Sequence, residues 1–115
     1  MYYLGIPTSR SLALFDTGET VWRDPLYNGN PKYEPGAIVT RVAPNFIRFG
    51  NFQMLYAQND IKSLTQLADY TIQYFFPQIT IGNKNAYKQL LEEVCLLTVE
   101  MVIHWQRVGF VHGVM

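Results

Sequence analysis

The pattern of apolar positions along the chain changes period near residue 50. Ahead of that point it alternates. Ser11 to Phe15 and Thr20 to Arg23 are β-prone runs on either side of Asp16-Thr17-Gly18-Glu19, a turn-rich tetrad that predicts a hairpin. Gly36 opens another β-branched run, in which Ala37, Val39, Arg41 and Ala43 share one face of a strand and Ile38, Thr40 and Val42 the other. Asn28-Gly29-Asn30-Pro31 is a loop by composition and leads through Lys32 to Pro35 into this strand. Three strands in a small antiparallel sheet, over about residues 11–43, are expected.

From Asn51 onward the apolar period is about 3.6. Phe52, Leu55 and Tyr56 mark a short first helix. Ile61, Leu64, Leu67, Ala68, Ile72 and Phe75 mark a second, with Ser63 and Gln66 placed as a capping box at its start and Pro77 as its stop. Beyond Gly82-Asn83, the residues Tyr87, Leu90, Leu91, Val94, Leu97, Met101, Trp105 and Val108 form one stripe of a long third helix, expected to pack along most of the domain. Thr98 lies on that stripe, where a hydroxyl is tolerated if it bonds back one turn to a carbonyl. The helical half thus covers about residues 51–115, and the whole is an α+β arrangement in one domain.

Composition narrows the classes. At 115 residues with 49% apolar content the chain is one domain long and able to form a modest core. Nine basic residues balance nine acidic ones, so no bulk field draws the chain to nucleic acid or to an anionic membrane, and any anion site is local. The single cysteine, Cys95, allows no intrachain disulfide and reads as a buried structural thiol in a reducing compartment. No apolar window reaches the length of a membrane span, and no signal peptide opens the chain. A soluble, cytoplasmic protein is the expectation. The first ten residues read as a connector broken by Gly5 and Pro7. Four apolar residues among the last six, Phe110 to Met115, read as the cut edge of a longer protein.

The candidate chemistry centres on Gly36 to Phe52. Arg41 rises from an apolar strand face; Pro44 ends the strand, and Arg48 stands just before Gly50, where the helical pattern begins. Two guanidiniums and a helix start suit an anion with several oxygens. The competing reading is an ion pair of either arginine with Asp24 or Glu34. No cluster of carboxylates or histidines marks a metal site, and no nucleophile elbow, Walker loop or CxxC is present. His104 can pair with Glu100 at i, i+4. Phe46, Phe49 and Phe52 beside two arginines are better read as core than as a base-stacking platform.

Taken together, LGIPTSRSLAL, DTGETVWRD, YNGNPKYEPGAIVTRVAPNFIRFGNF, LADYTI and HWQRVGFVHGVM resemble the selenoprotein O family of protein adenylyltransferases, in order from residue 3 to 115. The resemblance implies a partial protein-kinase-like (pseudokinase) fold, with later N-lobe strands followed by the start of the C-lobe. It implies a parent enzyme that binds ATP in an inverted orientation and transfers AMP to Ser, Thr or Tyr hydroxyls of proteins. Arg41 of GAIVTRVAP and Arg48 of NFIRFG match the family's phosphate-contacting arginines. His112 stands where kinases place the histidine of the H-R-D motif. The family continues after HGVM with N-T-D-N and later D-Y-G, which carry the catalytic aspartate and the Mg2+ ligands; its glycine-rich loop, strand lysine and helix glutamate lie ahead of this chain.

The resemblance thus assigns no catalytic and no metal residue here. ATP is the expected cofactor, Mg2+ is held elsewhere, and the segment alone is expected to be inactive. Mitochondrial residence would follow for a eukaryotic member. The alternative from another class is a non-catalytic kinase-like remnant that serves as an interaction module.

Overall fold

The computed structural model describes residues 1–112. Two long strands are followed by three helices: β1 (Arg10–Arg23), β2 (Lys32–Val42), α1 (Phe49–Ala57), α2 (Ile61–Phe75) and α3 (Ala86–Arg107). A single 3₁₀ turn, Tyr2–Leu4, precedes them. The chain divides into two compact units, one of Met1–Tyr2 with Pro7–Asn45, the other of Tyr3–Ile6 with the chain from Phe46 onward.

In the first unit β1 and β2 form a two-stranded antiparallel ribbon. This corrects the expected three strands. Asp16 to Glu19 is not a hairpin turn but an irregularity inside one 14-residue strand: pairing steps from Asp16↔Ala37 to Thr20↔Pro35. The extra residues are absorbed locally. Asp16 Oδ1 accepts the Gly18 N–H at 2.9 Å, Gly18 takes φ +71°, and the Thr17 hydroxyl crosses to donate to the Gly36 carbonyl at 2.9 Å. Such an insertion bends the strand without reversing it. Pro35, which has no N–H to donate, sits opposite its far end.

The true reversal is the loop between Arg23 and Lys32, organised by Asp24. Its Oδ2 accepts the Gly29 N–H at 2.6 Å. Burial raises the Asp24 pKa, but the N–H groups of Gly29, Asn28, Leu26 and Tyr27 together outweigh it and hold the carboxyl below its usual value. Just beyond the loop's ends Trp22 and Tyr33 face each other across the strands, with ring centroids 4.8 Å apart.

In the second unit the core lies between the C-terminal half of α2 and the first turns of α3. Ile72 is 0% exposed, and Phe76, Ile79, Ala86 and Leu90 are buried with it; Ala68, Phe75 and Val94 pack at its edge. α2 starts at an Asp60 N-cap, whose Oδ1 accepts the Ser63 N–H at 3.0 Å, so the cap stands three residues ahead of the expected Ser63–Gln66 box. Pro77 does follow the helix end. The Thr98 hydroxyl bonds back to the Val94 carbonyl at 2.7 Å.

The expected packing of α3 along most of the domain is not found among the described residues. Only its first turns are buried, and Leu91, Leu97 and Ile103 are more than half exposed. Cys95 is exposed rather than buried: it follows Val94 by about 100° around the helix and so turns off the face that meets α2. At the far end of α3 the Arg107 guanidinium donates to the Leu4 carbonyl at 2.8 Å, within the same unit.

Candidate functional site

Each candidate arginine has a defined backbone setting. Arg41 is the penultimate residue of β2, paired with Ser11, and its side chain is exposed. By strand alternation it shares a face with Val39 and Ala37. Arg48 is the N-cap of α1, in extended geometry with φ −125° and ψ 156°. Its N–H donates to Asn51 Oδ1 at 2.8 Å, which fixes the entry to the helix and leaves the guanidinium exposed. The first-turn N–H groups of a helix have no intrahelical acceptor, so Arg48 carries its charge to a place that is already electropositive.

Arg41 belongs to the strand unit and Arg48 to the helical unit. Both carboxylates of the competing ion-pair reading, Asp24 and Glu34, lie in the strand unit. Glu34 Oε1 lies 3.2 Å from Lys32 Nζ, and Asp24 Oδ2 holds Gly29. Among the described residues Arg48 makes no salt bridge.

His104 Nε2 stands 3.8 Å from Glu100 Oε1, the i, i+4 pair. His112 lies nearly parallel to the indole of Trp105, with centroids 5.3 Å apart and planes at 17°. Sequence reasoning overlooked this stack. The signal was there in Trp105-x-x-x-Gly109-Phe110, an aromatic pair spaced around a helix-ending glycine. Residues 113–115 of the closing HGVM lie outside the described residues.

One open apolar groove runs along the helical unit, lined by Phe52, Leu64, Thr65, Ala68, Tyr87 and Leu90. At the groove the Tyr87 hydroxyl donates to Asp69 Oδ1 at 3.0 Å; that bond, with burial and the carboxylate charge, raises the Tyr87 pKa. No helix of the described residues is long and apolar enough to cross a membrane. Among those residues no three His, Cys, Asp or Glu side chains gather closely enough to hold a metal ion.

Over residues 1–115 the chain matches the family described as Protein adenylyltransferase SelO. The chain belongs to this family. Its α+β order, antiparallel strands followed by helices, is part of the family's kinase-like fold. The protein nucleotidyltransferase YdiU of Flavobacterium johnsoniae is 59% identical over 115 residues, which are 100% of this chain and 22% of that protein. The protein nucleotidyltransferase YdiU of Azoarcus sp. is 55% identical over the same share of both chains. In Nitrosospira multiformis the YdiU nucleotidyltransferase is 52% identical over 117 residues, 100% of this chain and 21% of that protein. The chain therefore spans about a fifth of the length of the curated relatives it matches.

Proposed function

We propose that this chain is an internal segment of the kinase-like domain of a protein adenylyltransferase, and that it supplies part of the nucleotide site. The observation that carries the reading is the family match over the whole chain, together with 59% identity to a protein nucleotidyltransferase. On this reading the strands over about 11–43 belong to the later N-lobe and the helices from about 51 open the C-lobe. The parent enzyme transfers AMP from ATP to Ser, Thr or Tyr hydroxyls of proteins.

Arg41 and Arg48 contact the phosphates. A guanidinium presents a planar fork of N–H donors that matches two phosphate oxygens at once, and it stays charged throughout the working pH range. Arg48 adds the positive end of α1 to its own charge. In nucleotidyl transfer negative charge builds on the phosphate oxygens and the leaving pyrophosphate, so two fixed cations lower the barrier by stabilising that charge and by aligning the α-phosphorus. Mg2+ supplies further charge neutralisation, through residues beyond this segment. On the family resemblance the groups that would hold it and accept the hydroxyl proton lie outside this segment, and the segment alone is inactive.

The test is made in the full-length protein. Arg41→Ala and Arg48→Ala each weaken ATP binding or AMP transfer, by about 10- to 1,000-fold in kcat/KM. Unchanged transfer in both variants would reduce the two arginines to structural roles.

A further inference from the structure

Arg48 is an unfavourable residue for the place it occupies. Helix N-caps favour Ser, Thr, Asp or Asn, whose side-chain oxygen accepts a first-turn N–H, and a guanidinium has no acceptor to offer. Its charge also lies at the positive end of the α1 dipole, where a cation is repelled. The first turn, Phe49, Gly50 and Asn51, brings no acidic residue to offset this, and Arg48 makes no salt bridge among the described residues. Departures from local preference of this kind gather at functional positions. What this helix start lacks is negative charge, which a phosphate-bearing ligand supplies.

A second side chain holds Arg48 in this setting. Both backbone polar groups of Arg48 end on Asn51: the Arg48 N–H donates to Asn51 Oδ1 at 2.8 Å, and the Asn51 N–H donates to the Arg48 carbonyl at 3.0 Å. Asn51 stands at the third helical position and reaches back to the N-cap N–H, as Glu and Gln do in a capping box. The two bonds hold Arg48 extended, at φ −125° and ψ 156°, and so fix the base from which its exposed guanidinium projects.

We infer that Asn51 is a positioning residue for Arg48: by holding both backbone groups of the N-cap, it sets the guanidinium where it meets the phosphate. This rests on the proposed role of Arg48 in nucleotide binding. Asn51 acts through Arg48, and its loss leaves the charge in place but free to swing. Phosphate binding then weakens because the guanidinium must be ordered at the moment of binding.

The experiment measures ATP affinity by calorimetry in the full-length protein, for Asn51→Ala and Asn51→Gln, each in the wild-type and Arg48→Ala backgrounds. Asn51 is exposed, so Asn51→Ala opens no core cavity. It is expected to weaken ATP binding about 5- to 20-fold, within the usual coupling of residues in contact. Asn51→Gln, which keeps a neutral acceptor of the kind capping boxes use at this position, is expected to recover affinity to within about 2-fold. In the Arg48→Ala background the effect of Asn51→Ala falls below about 2-fold, since no guanidinium remains to be placed. Unchanged affinity in Asn51→Ala, or no recovery in Asn51→Gln, overturns the inference. So does an equal loss in both backgrounds, which would mean that Asn51 only supports the helix. Exchange of the Arg48 amide needs no nucleotide: it is expected to rise at least about 10-fold in Asn51→Ala and to return in Asn51→Gln, and unchanged exchange rejects the clamp. An Arg48→Ala variant that binds ATP as the wild type does removes the proposed role of Arg48 itself, a failure distinct from that of Asn51 and one that takes the inference with it.

Discussion

The Thr17 hydroxyl donates to the Gly36 carbonyl at 2.9 Å and stands 2.7 Å from where a β-carbon on residue 36 would lie. The strand irregularity and the glycine that opens the Arg41 run are thus one feature. The bulged residues of β1 fold over β2 at the place where β2 has no side chain.

Gly36→Ala is therefore expected to destabilise the protein by about 1–3 kcal/mol, the usual range for overpacking. The Glu19 carbonyl at 3.2 Å and Val21 Cγ2 at 3.3 Å also crowd the site, so relaxation of Thr17 alone does not relieve it. Denaturant unfolding of Gly36→Ala, Thr17→Ala and the double variant checks this. The penalty of Gly36→Ala should shrink in the Thr17→Ala background, and strict additivity would show that the two positions do not compete for space.

Ile72 is 0% exposed at the centre of the helical core. Ile72→Ala should cost about 2–5 kcal/mol and Ile72→Val about 0.5–1.5 kcal/mol, since each removes buried methyl groups and leaves a void. Urea midpoints of the two variants give the comparison, and a loss below about 1 kcal/mol for Ile72→Ala would mean that the site collapses freely.

Asp60 caps α2, and its hydrogen bonds from the Ser63 side chain and N–H hold its carboxyl below the usual aspartate value, against a smaller opposing effect of burial. Because the folded value is depressed, the stabilisation is fully present above the unfolded aspartate pKa and is lost as pH falls through the folded one. Asp60→Ala should lower Tm at neutral pH. The gap between wild type and Asp60→Asn, which keeps a cap acceptor without the charge, should narrow below about pH 4, the ordinary aspartate range. A gap independent of pH would show that the charge plays no part.

Tyr87 donates to Asp69, and this bond raises the phenol pKa. A raised folded value means the contribution is present below the ordinary tyrosine range and is lost as pH rises through the folded pKa. In an alkaline absorbance titration of the folded protein, Tyr87→Phe should remove one late-titrating phenol. Asp69→Asn should move that phenol to lower pH. An unchanged curve in Asp69→Asn would leave the bond without effect on titration.

Much of the helical half was legible in the residues. The 3.6-residue spacing placed all three helices and put Ile72 and Leu90 on apolar faces, because periodicity reports directly which side of a helix avoids water. The strand half misled. Asp16-Thr17-Gly18-Glu19 has hairpin composition, yet the same Asx bond and positive-φ glycine that make a turn also make a bulge, and the choice depends on what lies across the ladder. At the candidate site, the strand position of Arg41 and the helix-start position of Arg48 could be read from Pro44 and the change of period. The Trp105–His112 stack was missed because it joins residues seven apart through a reversal that no periodicity describes.

By itself, then, the sequence determined the family, the α+β order, the helix faces and the placement of Arg41 at a strand end and Arg48 at a helix start. These follow from local spacing and from residues matched in order along the whole chain. Only the tertiary structure decided that β1 runs unbroken past its glycine, that Cys95 and the later turns of α3 face outward, and that Trp105 carries His112. Each of those depends on which distant atoms share a space, and neither spacing nor composition encodes that.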